Sequence, residues 1–203
     1  VIVTLGYGLF GLGALPGGVL VDRLGSRSLI SLSLLGMGGA YLLLGLAPGM
    51  AIVALALVLW GVAASVYHPA GLSLISKGVE ERGTGFAYHG IAGNVGIGLG
   101  PLLALVFLLF FEWRTVALLM GVPAVAAAVY ARRARFDERA VVSDDADAET
   151  DAGGVGSLSE FLGESRRLFG GLFAVVFVVV MASGLYYRGV LTFLPELLRD
   201  VGQ

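Results

Sequence analysis

The sequence predicts an all-α, polytopic membrane helical bundle of about six transmembrane helices, and three observations predict it. The chain of 203 residues is 57% hydrophobic and only 14% charged, whereas a soluble domain carries roughly 25% charged residues. Its apolar residues gather into runs of about 20, the length that crosses a hydrocarbon core. Its 32 glycines would each cost about 1 kcal/mol inside a soluble helix, but in a bilayer small residues let helices approach closely. The mean hydropathy of +0.90 agrees with all three.

Taken in order, the runs fall at 1–21, 28–47, 50–75, 85–111, 115–131 and 169–194. The first ends at DRLGSR, residues 22–27. The second ends at the Pro48-Gly49 turn, and the third at the polar stretch 76–84, SKGVEERGT. Three residues, Glu112-Trp113-Arg114, separate the fourth from the fifth, and a long polar segment, 132–168, precedes the last. Within that segment VVSDDADAETDAGG is acidic and poor in apolar residues, so it cannot bury enough surface to fold by itself. It reads as a tether. Its end, 157–169, has leucine and phenylalanine at helical spacing and is expected to lie as an amphipathic helix on the membrane surface.

Orientation follows from basic residues near span ends, because cytoplasmic loops hold the excess. Arg23, Arg27, Lys77, Arg82, Arg132, Arg133, Arg135, Arg139, Arg166 and Arg167 flank one side, and only Arg114 and Arg199 the other. Loops 22–27, 76–84 and 132–168 are therefore expected in the cytoplasm of a multi-pass plasma-membrane protein. The chain opens VIVTLGYGLF, without an initiator methionine or a basic n-region followed by a cleavage pattern, and is expected to be a piece of a longer protein.

The first loop carries a motif. Gly18-Val19-Leu20-Val21-Asp22-Arg23-Leu24-Gly25-Ser26-Arg27 resembles motif A of the major facilitator superfamily, G-x-L-A-D-R-x-G-R-K, with Ser26 replacing the first basic residue of the closing pair. The loop lengths resemble that superfamily too, with tight loops inside each six-helix half and one long cytoplasmic connection. The resemblance implies that 1–131 forms helices two to six of the N-terminal half, 132–168 the linker, and 169–203 helix seven with the start of the next loop. It also implies alternating access, with Asp22 docking on a helix of the other half and Gly18, Arg23, Gly25 and Arg27 shaping the loop. A narrower resemblance joins Tyr67-His68-Pro69 to the run from Gly93-Asn94 through Gly96, Gly100 and Pro101 to Leu103, as in the fosmidomycin-resistance branch.

The fourth run stacks Ala92, Gly96, Gly100 and Ala104 on one helix face, where a neighbouring helix can approach, and Pro101 is expected to kink or loosen the helix. Gly96, Gly100 and Pro101 also partly resemble the antiporter motif C, from which Ala87 and Ala104 depart. Helix packing and an antiporter role both remain open for this stripe. Polar groups inside the bilayer are costly unless they face a cavity or a partner, so Tyr67, His68, His89, Asn94, Tyr187 and Arg188 are the candidate substrate or proton path. His68 and His89 are expected at similar depth; a histidine can relay protons. If the fosmidomycin-resistance resemblance extends to substrate chemistry, Arg188 beside Tyr187 would suit a phosphonate or carboxylate, which guanidinium binds bidentately.

The expected function is secondary transport, first as proton-coupled export of a small, anionic or drug-like compound. Uptake by symport and a transport-inactive sensor on the same fold are the alternatives. No enzyme is expected, since no P-loop, H-E-x-x-H or G-x-S-x-G occurs, the glycine-rich runs GLFGLGALPGG and GNVGIGLG do not fit a dinucleotide fingerprint, and there are no cysteines. The partners expected are a small-molecule substrate, protons and the lipid bilayer, with no cofactor, metal or nucleic acid, in a monomer when full length.

Overall fold

In a computed structural model of the chain, the described residues are 2–134, 138, 163 and 171–201. The tether and the expected surface helix at 157–169, with Arg135, Arg139, Arg166 and Arg167, lie outside them apart from isolated positions. Seven α-helices and no strands occur among the described residues. They form two compact units, Val1–Ala148 and Glu149–Gln203.

Helix α1, Ile2–Leu24, contains Pro16, whose missing N–H and ring clash loosen the preceding turn. Its segments Val3–Ala14 and Pro16–Leu24 accordingly meet at 59°, a bend the uniform apolar run did not announce. Gly25 ends α1, donating its N–H to the Val21 carbonyl at 2.9 Å. With φ +77° it takes the left-handed conformation that glycine adopts without strain, and the chain turns at once into α2, Ser26–Gly45.

The third run is two helices, α3 Met50–Ser65 and α4 Tyr67–Gly78. Pro69 has no N–H to give to the Ser65 carbonyl, and the ladder breaks at Val66; the Ser65 hydroxyl donates to the Val62 carbonyl at 2.7 Å. The two together still form a 29-residue stretch, Met50–Gly78, apolar enough to span a membrane. Helix α5, Arg82–Leu108, continues through Pro101 as one helix. Helix α6 is Trp113–Arg133. Helix α7, Leu172–Val201, forms the second unit, and its segment Ala174–Leu194 has the length and hydropathy of a span. With the bent α1 counted as one, six segments are long and apolar enough to cross a membrane.

Glycine and serine make the close contacts in the first unit. Along α1, Gly6, Gly13 and Gly17 face Leu57 and Gly61, then Ser65, then Pro69. Those partners recur every fourth residue, so one stripe of α3 and α4 meets α1 in parallel. Between α2 and α6 the order reverses: Gly38 faces Gly121 and Val125, and Gly45 faces Arg114 and Leu118, so these helices are antiparallel. Ser33, buried, donates to the Ala63 carbonyl at 2.6 Å and ties α2 to α3. At the end opposite the arginine-rich loops, Arg114 donates to the Ala47 carbonyl at 3.2 Å and lies 4.4 Å over the Trp113 ring. The small apolar centre, Val21, Leu29 and Ala70, sits immediately beneath the arginine-rich end.

Candidate functional site

Two constellations emerge in the first unit. The first is a series of rings. Tyr7 and Phe10 lie on one face of α1, and their rings are 5.3 Å and 6.4 Å from Trp60 on α3. Phe10 also approaches His68 on α4 at 6.2 Å. His68 stands 6.0 Å from His89 on α5, edge to face, and Tyr67 lies 5.8 Å from His68 and 6.2 Å from His89. Three of the six path residues read from the sequence, Tyr67, His68 and His89, thus come together across the α4 to α5 turn. The break at Val66 resets the helix so that the Tyr67-His68 pair faces α5. Next to the series, Val3, Gly6, Tyr7, Ala40, Tyr41 and Trp60 line a largely apolar, partly open cavity of about 140 Å³.

Asn94 does not join this group: its amide donates to the Gly90 carbonyl on its own helix at 3.0 Å. The Ala92 to Ala104 stripe finds no close neighbour among the described residues, since a Cβ on Gly96 or Gly100 would meet nothing within 4 Å. Tyr187 lies exposed on α7, and the side chain of Arg188 lies outside the described residues. Tyr7, Phe10 and Trp60 escaped the sequence reading because aromatic residues in an apolar run carry no polar signal. The i, i+3 spacing of Tyr7 and Phe10 was the one available hint.

The second constellation is the motif loop. Lys77, at the end of α4, places its ammonium 3.3 Å from the Asp22 carboxylate. The aspartate side chain is 69% exposed, so it retains room for further donors. A second carboxylate meets a helix N-terminus: Glu138 accepts the Arg27 backbone N–H of α2 at 3.3 Å and faces the Arg27 guanidinium at 3.9 Å. A carboxylate there offsets the positive end of the helix dipole. Gly18 and Arg23 are exposed on the last turns of α1, and Gly25 supplies the turn. Among the described residues no three histidine, aspartate or glutamate side chains gather as a metal site would need.

Comparison with known proteins decides the family. The family model described as Major Facilitator Superfamily matches residues 1–202. The chain belongs to the Major Facilitator Superfamily. Its members are transporters, not enzymes, and the helices described above are those of a multi-pass membrane bundle. The chain is also similar to the puromycin resistance protein pur8 of Streptomyces alboniger, 35% identical over 103 residues. That match covers 49% of this chain and 20% of the relative, so the chain spans only part of the length of the curated relative it resembles.

Proposed function

We propose that this major facilitator chain is the helix two to seven portion of a proton-coupled exporter of a small anionic or drug-like compound. On this reading 1–131 belongs to the N-terminal half, 132–168 is the cytoplasmic linker, and 169–203 opens the C-terminal half in the plasma membrane. The two halves rock about a central site. The observation that carries the reading is the His68 and His89 pair at 6.0 Å, set at the end of a continuous aromatic series. Aromatic rings offer a polarisable wall to a drug-like molecule. Two imidazoles at this separation can pass a proton through one bridging group.

The similarity to a puromycin resistance protein supports export of a toxic compound, and the Tyr67-His68-Pro69 triplet with the Gly93 to Leu103 run leaves a fosmidomycin-like phosphonate as the narrower substrate reading. Proton coupling is tested by His68→Gln and His89→Gln in the full-length protein. Each is expected to bind substrate near wild-type affinity while losing substrate-dependent proton movement in vesicles. Full proton coupling in the double variant would remove the histidines from the mechanism. Arg188→Ala is expected to weaken binding of anionic substrates roughly tenfold or more, the size of one charge-assisted hydrogen bond, with Arg188→Lys intermediate; unchanged affinity in direct binding would return Arg188 to a topological role.

A further inference from the structure

The arginine-rich ends of α2 and α6 enclose an open groove of about 550 Å³ that neither transport constellation uses. One end is polar: Arg132 donates to the Ser28 hydroxyl at 3.3 Å, and Arg133 lies beside it. The other end is apolar, walled by Leu32, Leu35 and Val129, which are 58%, 50% and 43% exposed. Ser28, Leu32 and Leu35 are spaced i, i+4, i+7, so the groove runs along α2 for about 10 Å. From two guanidinium groups to a greasy wall, it changes character along the membrane normal.

We infer that this groove binds an anionic phospholipid of the cytoplasmic leaflet, its phosphate held by Arg132, Arg133 and Ser28 and the start of one acyl chain laid on Leu32, Leu35 and Val129. Three arguments select this occupant. By the positive-inside rule the end bearing Arg132 and Arg133 faces the cytoplasm, where anionic headgroups meet basic pockets between helices. Guanidinium groups pair with phosphate oxygens bidentately, and Ser28 already presents a hydroxyl to Arg132. A free phosphate would leave the leucine wall uncovered, whereas a lipid covers both ends at once. Among the described residues, helix α6 packs extensively on α2 and only slightly on α5, and Leu32, Leu35 and Val129 stay exposed.

The test titrates the purified full-length protein with dioleoyl phosphatidylglycerol and dioleoyl phosphatidylcholine and counts bound lipid by native mass spectrometry. Wild type is expected to bind phosphatidylglycerol roughly 10- to 30-fold more tightly, as two arginines near an anionic surface provide, with the preference shrinking as salt rises. Arg132→Gln with Arg133→Gln is expected to bring the two lipids to parity, and Arg132→Lys with Arg133→Lys, which preserves the topogenic charge, to retain a preference. Leu35→Trp, which fills the wall and leaves both arginines, is expected to lose phosphatidylglycerol as well. Millimolar inorganic phosphate is expected not to displace the lipid; displacement would assign the site to a soluble anion. Equal binding of both lipids by wild type, or a preference that survives both the glutamine pair and Leu35→Trp, overturns the proposal. A preference appearing only after Asp144, Asp145, Asp147, Glu149 and Asp151 are changed to serine would make the acidic linker the occupant, and also overturns it.

Discussion

Replacing Asp22 with asparagine is expected to slow substrate turnover by about 10- to 100-fold while leaving membrane insertion and thermal stability unchanged. The two halves of that expectation come from different physics. The contact seen in this chain, Asp22 to Lys77 at 3.3 Å, joins side chains that are 69% and 39% exposed, and such surface pairs contribute little to stability. Stability is therefore indifferent to the charge. Transport is not, on the reading that Asp22 also accepts hydrogen bonds from a helix of the other half when the protein is open to the outside. A charge-assisted hydrogen bond contributes about 1.5–3 kcal/mol, which as a bias on a two-state equilibrium is a factor of about 10 to 150. Lys77 serves to orient the carboxylate, so Lys77→Gln is expected to slow turnover only a few-fold. Turnover measured for both variants at matched protein levels separates the roles: equal losses would make the Lys77 pair the whole function of Asp22, and no loss in either would leave the loop a topological anchor.

The second large effect is on folding. Gly61 and Gly6 bring α3 and α1 together so closely that a Cβ on Gly61 would fall on the Gly6 carbonyl, and a Cβ on Gly6 would lie 2.9 Å from the Leu57 carbonyl oxygen. Both obstacles are backbone atoms within helices, which cannot swing aside as a side chain can. Gly61→Val is expected to force the helices apart along the whole Gly6, Gly13, Gly17 stripe, losing the packing that drives helix association in lipid, and to reduce folded protein to a small fraction of wild type. Gly98→Val is the matched control, since its Cβ would meet nothing within 4 Å. Fluorescence-detected size exclusion of both variants reads the difference. A monodisperse Gly61→Val protein at wild-type yield would show that α1 and α3 do not cross on these glycines.

The pattern of what the sequence reveals follows from the range of each signal. Spans are legible because hydropathy is local: the runs at 28–47 and 85–111 became α2, Ser26–Gly45, and α5, Arg82–Leu108, each displaced by a few residues. The same signal is nearly blind to interruptions inside a run, because a single proline such as Pro16 or Pro69 lowers the mean hydropathy of a 20-residue window only slightly. The bend in α1 and the division of α3 from α4 needed proline chemistry to be weighed position by position; Pro101, in a helix that continues, shows that proline alone is no sufficient sign. Pairings across the chain were illegible for a different reason. Lys77 lies 55 positions from Asp22 and Glu138 lies 111 from Arg27, and neither spacing has a periodic signature. That His68 and His89 lie at similar depth was readable because a single tight turn separates their helices, whereas their approach to 6.0 Å was not.

The His68 and His89 pair, Asp22 and the aromatic series all serve one claim, that a compound leaves the cytoplasm as protons enter it. The most direct measurement places the full-length protein in inside-out vesicles with an acid lumen and follows lumenal pH as a phosphonate, an aminonucleoside or a common cationic drug is added. At least one of these compounds is expected to drain protons from the lumen while accumulating inside, and the drain is expected to disappear in His68→Gln with His89→Gln. Accumulation of compound together with protons in the same direction, or an unchanged lumenal pH for every compound, would contradict that claim.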